Sequence, residues 1–219
     1  MLSIKITLAR QLLALIVMLF SVLLLPAQLL QEGPFCGKQY YSDLSNGGQH
    51  DWGNALKARC DEDESHTYTA QLNKGSYSHY LHIENFGFSI PAHAKISGIE
   101  VVIIRRSDHG GALQDHSVHL VKKGQVMGKN MAYPTLWEDS WTGVFYGGKH
   151  ELWGQNWSAK DLNNAKFGVV LAVKYDTGEG RAEVDEVLLT VHYTEPKQRI
   201  HATKSIGSLS KFTCYSVGS

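Results

Sequence analysis

Eleven histidines, 21 carboxylates and five tryptophans are the residues of this 219-residue chain whose types could do chemistry. The closest histidine pairs are His79/His82 and His116/His119. Both have i,i+3 spacing, which on a strand turns the two rings to opposite faces, so neither pair readily shares a metal ion. With an ordinary pKa of about 6.5, several would instead charge together in mild acid. The carboxylates suggest calcium, which takes several hard oxygens at once. The candidate ligands are Asp61 and Asp63 in an acidic run, Asp176 in a Gly-rich turn, and Asp185 at the start of the last long strand. Their spacing does not form an EF-hand loop. No other cofactor is suggested.

Trp137 and Trp141 stand in TLWEDSWTG, a turn-rich segment that also carries Glu138 and Asp139. Exposed aromatic rings mark interfaces, and they stack on sugars. These two tryptophans are therefore the expected contacts for a ligand or partner. There is no GxSxG, HExxH or Walker loop, and the chain is not expected to be an enzyme. Lys plus Arg and Asp plus Glu number 21 each, which argues against a nucleic-acid binder, since such proteins need a basic surface.

The ends carry addresses rather than chemistry. Lys5 and Arg10 precede an apolar run from Leu12 to Leu25 that Pro26 breaks, so residues 1–27 read as a signal peptide or a membrane anchor. Either reading puts the rest of the chain in the secreted or cell-surface space. Membrane contact is expected only through this segment, if it is retained. An oxidising compartment makes Cys36, Cys60 and Cys214 disulfide candidates, and the pairings Cys36–Cys60, Cys36–Cys214 and an inter-subunit link through Cys214 all stay open. Residues 43–195 hold 20 acidic and 14 basic residues, a net charge of −6, whereas residues 196–219 carry a net charge of +4 and no acid. That tail could dock on the acidic body of a second copy. Its segment KFTCYSV could also add a strand to an exposed sheet edge. Lys204, Lys211, Phe212 and Tyr215 are the expected subunit contacts.

After a linker over residues 28–48, the body from 49 to 195 reads as β-structure. Period-two alternation of β-branched residues is clear over Ile99–Arg106, Phe167–Tyr175 and Val184–Tyr193, which should be the central strands. Shorter candidates are His66–Leu72, Tyr77–Ile83, Phe86–Ile90, Ser117–Lys122 and Gln125–Met131. Turns such as Asp176-Thr-Gly-Glu-Gly180 separate them. One helical turn is expected at Ser158–Leu162, where Ser158 would cap and Asp161 stands three residues on. Many short strands joined by Gly-rich turns predict an all-β antiparallel sandwich or barrel.

The motifs DWGNAL (51–56), NFGFSIP (85–91), ISGIEV (96–101) and VHLVKKG (118–124) continue as YGG (146–148), LWG (152–154), FGVVLAV (167–173) and VDEVLLTVHYT (184–194). As a set, with Asp115, Gly128, Trp157, Asp161 and Asn163, they resemble a β-sandwich module that recurs in phage virion proteins and in secreted bacterial surface proteins. The resemblance covers about two thirds of the chain. It implies a jelly-roll-like unit of architectural or adhesive type, and it assigns Trp52, Trp153 and Trp157 to packing. The function expected first is a self-assembling subunit of an extracellular filament or coat, with copies of itself as partners. The alternative is a carbohydrate-binding or adhesive module that meets surface glycans.

Overall fold

A computed structural model describes residues 28–60, 66–69, 71–176 and 179–196. Their strands are β1 (Leu29–Cys36), β2 (Gln39–Asp43), β3 (Trp52–Gly53), β4 (Thr67–Thr69), β5 (Leu72–Asn73), β6 (Tyr80–Glu84), β7 (Lys95–Ser107), β8 (Leu113–Lys122), β9 (Gln125–Met127), β10 (Thr142–Gly148), β11 (Gly168–Tyr175), β12 (Glu179–Gly180) and β13 (Ala182–Thr194). One sheet has the order β10-β7-β13-β4-β3, with β1 also paired to β13. The second has the order β2-β6-β11-β8-β9, and β12 pairs with β5 in a small ribbon. The strand pairs are antiparallel. The fold is thus an all-β antiparallel two-sheet sandwich.

The three strands with the clearest alternation lie inside the sheets. Ile99, Val101 and Ile103 of β7, Val169, Leu171 and Val173 of β11, and Val187, Leu189 and Val191 of β13 are all fully buried in one shared core. Each such side chain contributes about 1.5–3 kcal/mol through removal from water. Trp52, Trp153 and Trp157 join that core. Gly147 lets Trp153 in: the glycine has φ +73°, and a Cβ there would fall 2.3 Å from Ile99 O and 2.6 Å from Trp153 Nε1. That indole N–H donates to Ile99 O at 2.9 Å.

Helix α1 (Ala159–Leu162) begins as expected, with a reciprocal capping box. Ser158 Oγ accepts from the Asp161 backbone N–H, and the Asp161 carboxylate accepts from the Ser158 N–H.

Two expectations are corrected. Residues 28–48 are not a linker: β1 and β2 supply one strand to each sheet. Phe86–Ile90 is not a strand, because Asn85 at φ 63° and Gly87 at φ 78° turn the chain there. Phe86, Phe88 and Ile90 still enter the core. The backbone of Ile90 pairs with a side chain instead of a neighbouring strand: its N–H donates to Asn163 Oδ1 at 2.8 Å and its carbonyl accepts from Asn163 Nδ2 at 2.9 Å.

Cys36 and Cys60 form a disulfide across a separation of 24 residues. It ties the end of β1 to the segment after β3. Residues 1–27 and Cys214 lie outside the described residues. Among the described residues, no helix is long and apolar enough to cross a membrane.

Candidate functional site

Arg105 and Arg106 stand just before the last residue of strand β7, and strand geometry sends consecutive side chains to opposite faces. Arg105 points between the sheets and is 4% exposed. Its Nη1 donates to Asp115 Oδ1 at 2.9 Å. Asp115 also accepts from Trp137 Nε1 at 2.9 Å, from Tyr146 OH at 2.9 Å and from the Tyr133 backbone N–H at 3.0 Å. Burial raises the Asp115 pKa, although Arg105 and these hydrogen bonds pull it the other way. The Tyr146 hydroxyl is pushed far above its usual pKa by burial and by the neighbouring Asp115 carboxylate. Trp137 is 2% exposed, and the Arg105 guanidinium lies 4.2 Å from its ring centroid. The expectation of a surface contact at Trp137 is therefore corrected. This residue belongs to a buried ion-pair network at one end of the sandwich.

Arg106 points away from the core. Its Nε donates to Glu183 Oε2 at 2.5 Å, directly across the β7–β13 pair. His66 Nε2 lies 3.5 Å from the other oxygen of Glu183. The Arg106 guanidinium sits 4.6 Å from the centroid of the Trp141 ring, and His66 meets that ring edge-on at 5.3 Å. Trp141 nonetheless stays 39% exposed. An open cavity of about 420 Å³ is lined by Trp141, Arg106, His66 and Asp185. Asp185 reaches it through a β-bulge: the register shifts between Val184 and Glu186, and the extra residue re-aims its side chain.

A second polar cluster lies on the outward face of the other sheet. His82 is 2% exposed and places Nδ1 3.1 Å from Asp43 and Nε2 3.0 Å from Glu84. The Tyr41 ring stacks on it at 4.5 Å. Burial and the two nearby carboxylates push the Tyr41 hydroxyl up to about 12. Burial works against ionisation of Asp43, yet hydrogen bonds from Ser45 and His82 hold its pKa below the usual value. These side chains fill one another's hydrogen-bonding capacity and leave little to offer a ligand.

Among the described residues, no three His, Cys, Asp or Glu side chains come together in a way that could hold a metal ion. Asp176 and Asp185 belong to no such group, so the calcium expectation finds no site there. Asp61 and Asp63 lie outside the described residues, as do the expected subunit contacts Lys204, Lys211, Phe212 and Tyr215.

Residue type alone pointed to Trp141. Arg106 and His66 were missed, and Asp185 was read as a calcium ligand, because the three come from separate segments that only the sheet brings together. The available signal was the Arg105-Arg106 dipeptide at the end of an alternating stretch, since neighbours on a strand face opposite ways.

No family model matches the chain, and no curated protein matches it. Among solved structures it is similar to the CBM22-1 xylan-binding domain of Xyn10C from Paenibacillus barcinonensis, at 9% identity and a TM-score of 0.38, over 78% of this chain and 97% of that one. It is similar to the family 11 carbohydrate-binding module from Clostridium thermocellum, solved with a β-1,3-1,4-mixed-linked tetrasaccharide, at 12% identity and a TM-score of 0.37, over 78% and 98%. It is also similar to the tailspike protein 4 enzymatically active domain of bacteriophage CBA120, at 11% identity and a TM-score of 0.34, over 74% of this chain and 19% of that one.

Proposed function

We propose that this protein is an exported, jelly-roll-type glycan-binding module and that the Trp141 cavity is its binding site. The observation that carries the reading is the composition of that cavity. An exposed indole stands beside a guanidinium, an imidazole and a carboxylate, in an open space of about 420 Å³. A sugar ring presents an apolar C–H face and a rim of hydroxyls. Trp141 offers the stacking surface, while Arg106 donates to and Asp185 accepts from hydroxyl groups. A mostly preformed cavity with a few converging polar groups is how small-ligand sites are built. Arg106 is already balanced by Glu183, so the site carries no surplus positive charge and suits neutral sugars better than acidic ones. The Cys36–Cys60 disulfide supports export to an oxidising compartment.

Affinity electrophoresis through gels containing soluble neutral polysaccharides tests this reading. Wild-type protein should be retarded by at least one of them, and Trp141→Ala should migrate as in a sugar-free gel. Equal retardation of both proteins would reject the Trp141 site.

A further inference from the structure

We propose that the outward face of strands β10, β7 and β13 is a docking surface for this chain's own C-terminal segment, residues 197–219. The surface is built on a row of apolar side chains. Phe145 of β10 stands directly across from Val102 of β7, and Val102 directly across from Leu188 of β13. Residues paired in this way are side-chain neighbours, with Cβ atoms about 4.5–5.5 Å apart. All three alternate with core residues, such as Tyr146, Val101 and Leu189, and so point away from the core. Phe145 is 59% exposed, and Val102, Leu188 and the adjoining Ile104 are half-buried. Contiguous apolar side chains on a surface mark a contact with another segment or partner.

A glycine beside the row supports a polypeptide as the occupant. Gly143 stands two residues before Phe145, on the same face and directly across from Ile104. Its φ is not positive. A Cβ there would meet side-chain atoms alone, the nearest being Ile104 Cδ1 at 3.1 Å. Neither backbone conformation nor a neighbouring main chain therefore calls for glycine at this place in the strand. A glycine inside a strand often marks the close approach of another backbone. The bare main chain beside Phe145 leaves room for a segment laid on the sheet.

Charge and position select the segment. Glu100, Glu183, Asp185 and Glu186 stand around the row on this face of β7 and β13, with the guanidinium of Arg106 among them. Residues 197–219 carry a net charge of +4 and no acidic residue, and Ile206, Leu209, Phe212 and Tyr215 supply apolar partners. Opposite charge favours this pairing and fixes its register. β13 ends at Thr194, so the segment leaves from one of the strands that build the face. Leu188 lies back along β13 by about 20 Å, at about 3.3 Å per residue, and residues 197–219 are long enough to return well past it. A tether of this kind gives an effective concentration in the mM range, which favours the chain's own segment over that of a second copy. This docking is independent of the glycan reading of the Trp141 site.

Cys214 lies within the segment and outside the Cys36–Cys60 bridge, so a nitroxide label can be placed there in full-length protein without a mutation. The methyl signals of Val102, Ile104 and Leu188 should then lose most of their intensity. That of Val170, on the outward face of the other sheet, should keep its own. The loss should occur when label and methyl groups share one molecule. It should be absent when labelled, NMR-silent protein is mixed with unlabelled, NMR-visible protein. Raising the ionic strength from about 0.1 M to about 1 M shortens the screening length from about 10 Å to about 3 Å and should restore part of the intensity. Gly143→Lys, at an exposed position, puts bulk and like charge where the segment approaches and should abolish the loss in a protein that still unfolds cooperatively in urea. Equal intensities for all four residues would overturn the proposal. So would a loss confined to the mixed sample, or a Cys214 already bridged to a second copy, since either gives the face to another molecule. A loss that neither salt nor Gly143→Lys relieves would overturn it as well.

Discussion

Arg105 and Arg106 are consecutive on β7, and each holds its guanidinium over a tryptophan, at 4.2 Å from Trp137 and 4.6 Å from Trp141. One arrangement is sealed between the sheets and the other opens to solvent. The same chemical pair thus serves the fold on one side of the strand and lines the proposed glycan site on the other.

The two arginines should therefore separate in stability. Arg105→Ala leaves the Asp115 carboxylate buried without its ion-pair partner, which should cost about 3–5 kcal/mol. The Arg106 side chain is 34% exposed, so its pair with Glu183 is screened, and Arg106→Ala should cost no more than about 1 kcal/mol. Urea unfolding of the two variants checks this, and equal losses would contradict it. In the binding assay the order should reverse, with Arg106→Ala weakening glycan retention.

Stability should fall as the pH drops below neutral. Burial lowers the pKa values of His116, His119 and His192 from the ordinary 6.5. Above that value both folded and unfolded chains hold these rings neutral. As the pH falls through 6.5 the unfolded chain takes up protons first, so stability is lost progressively down to the lowered folded values. Melting temperatures from pH 8 to pH 5 should show this decline. His119→Gln should show a shallower one, while an unchanged slope would exclude His119 as a contributor.

The Cys36–Cys60 bridge spans 24 residues. Closing a loop of that size constrains the unfolded chain by about 3 kcal/mol. Cys36→Ser should lower the unfolding free energy by roughly that amount, and so should reduction of the wild type. Equality of the two losses, measured by denaturant titration, separates loss of the bridge from local damage at Cys36.

Gly147→Ala should be strongly destabilising. The added Cβ would meet a carbonyl and the Trp153 ring, at a φ of +73° that disfavours side chains. Gly75→Ala is a control: it has φ +81°, but nothing lies within 4 Å of its Cβ position, so only the backbone strain of about 1–2 kcal/mol remains. Thermal melts should rank Gly147→Ala well below Gly75→Ala.

Much of the sandwich was legible in the sequence because β-branched alternation is a local signal. Ile99–Arg106, Phe167–Tyr175 (less its first residue) and Val184–Tyr193 lie in strands, and Ser158 with Asp161 capped a helix where their spacing required it. The misreadings came from local patterns that tertiary structure overrode. Phe86, Phe88 and Ile90 alternate like a strand, but two positive φ angles break the chain there. Leu29–Cys36 contains Gly33-Pro34 and read as linker, yet it pairs with β13. The site was half visible for a similar reason. Trp137 and Trp141 stand four residues apart in one turn-rich segment and are alike in sequence. What separates them is Asp115, which lies 22 residues before Trp137 and takes its indole N–H into the core.

The most direct test of the account is the heat of binding of one neutral glycan, chosen by gel retardation, to the wild type and to Trp141→Ala. Saturable binding to the wild type is expected. Affinity should fall by about tenfold in the variant, the effect of losing about 1.4 kcal/mol of ring stacking. The same affinity in both proteins, or no binding of any neutral glycan to the wild type, would contradict it.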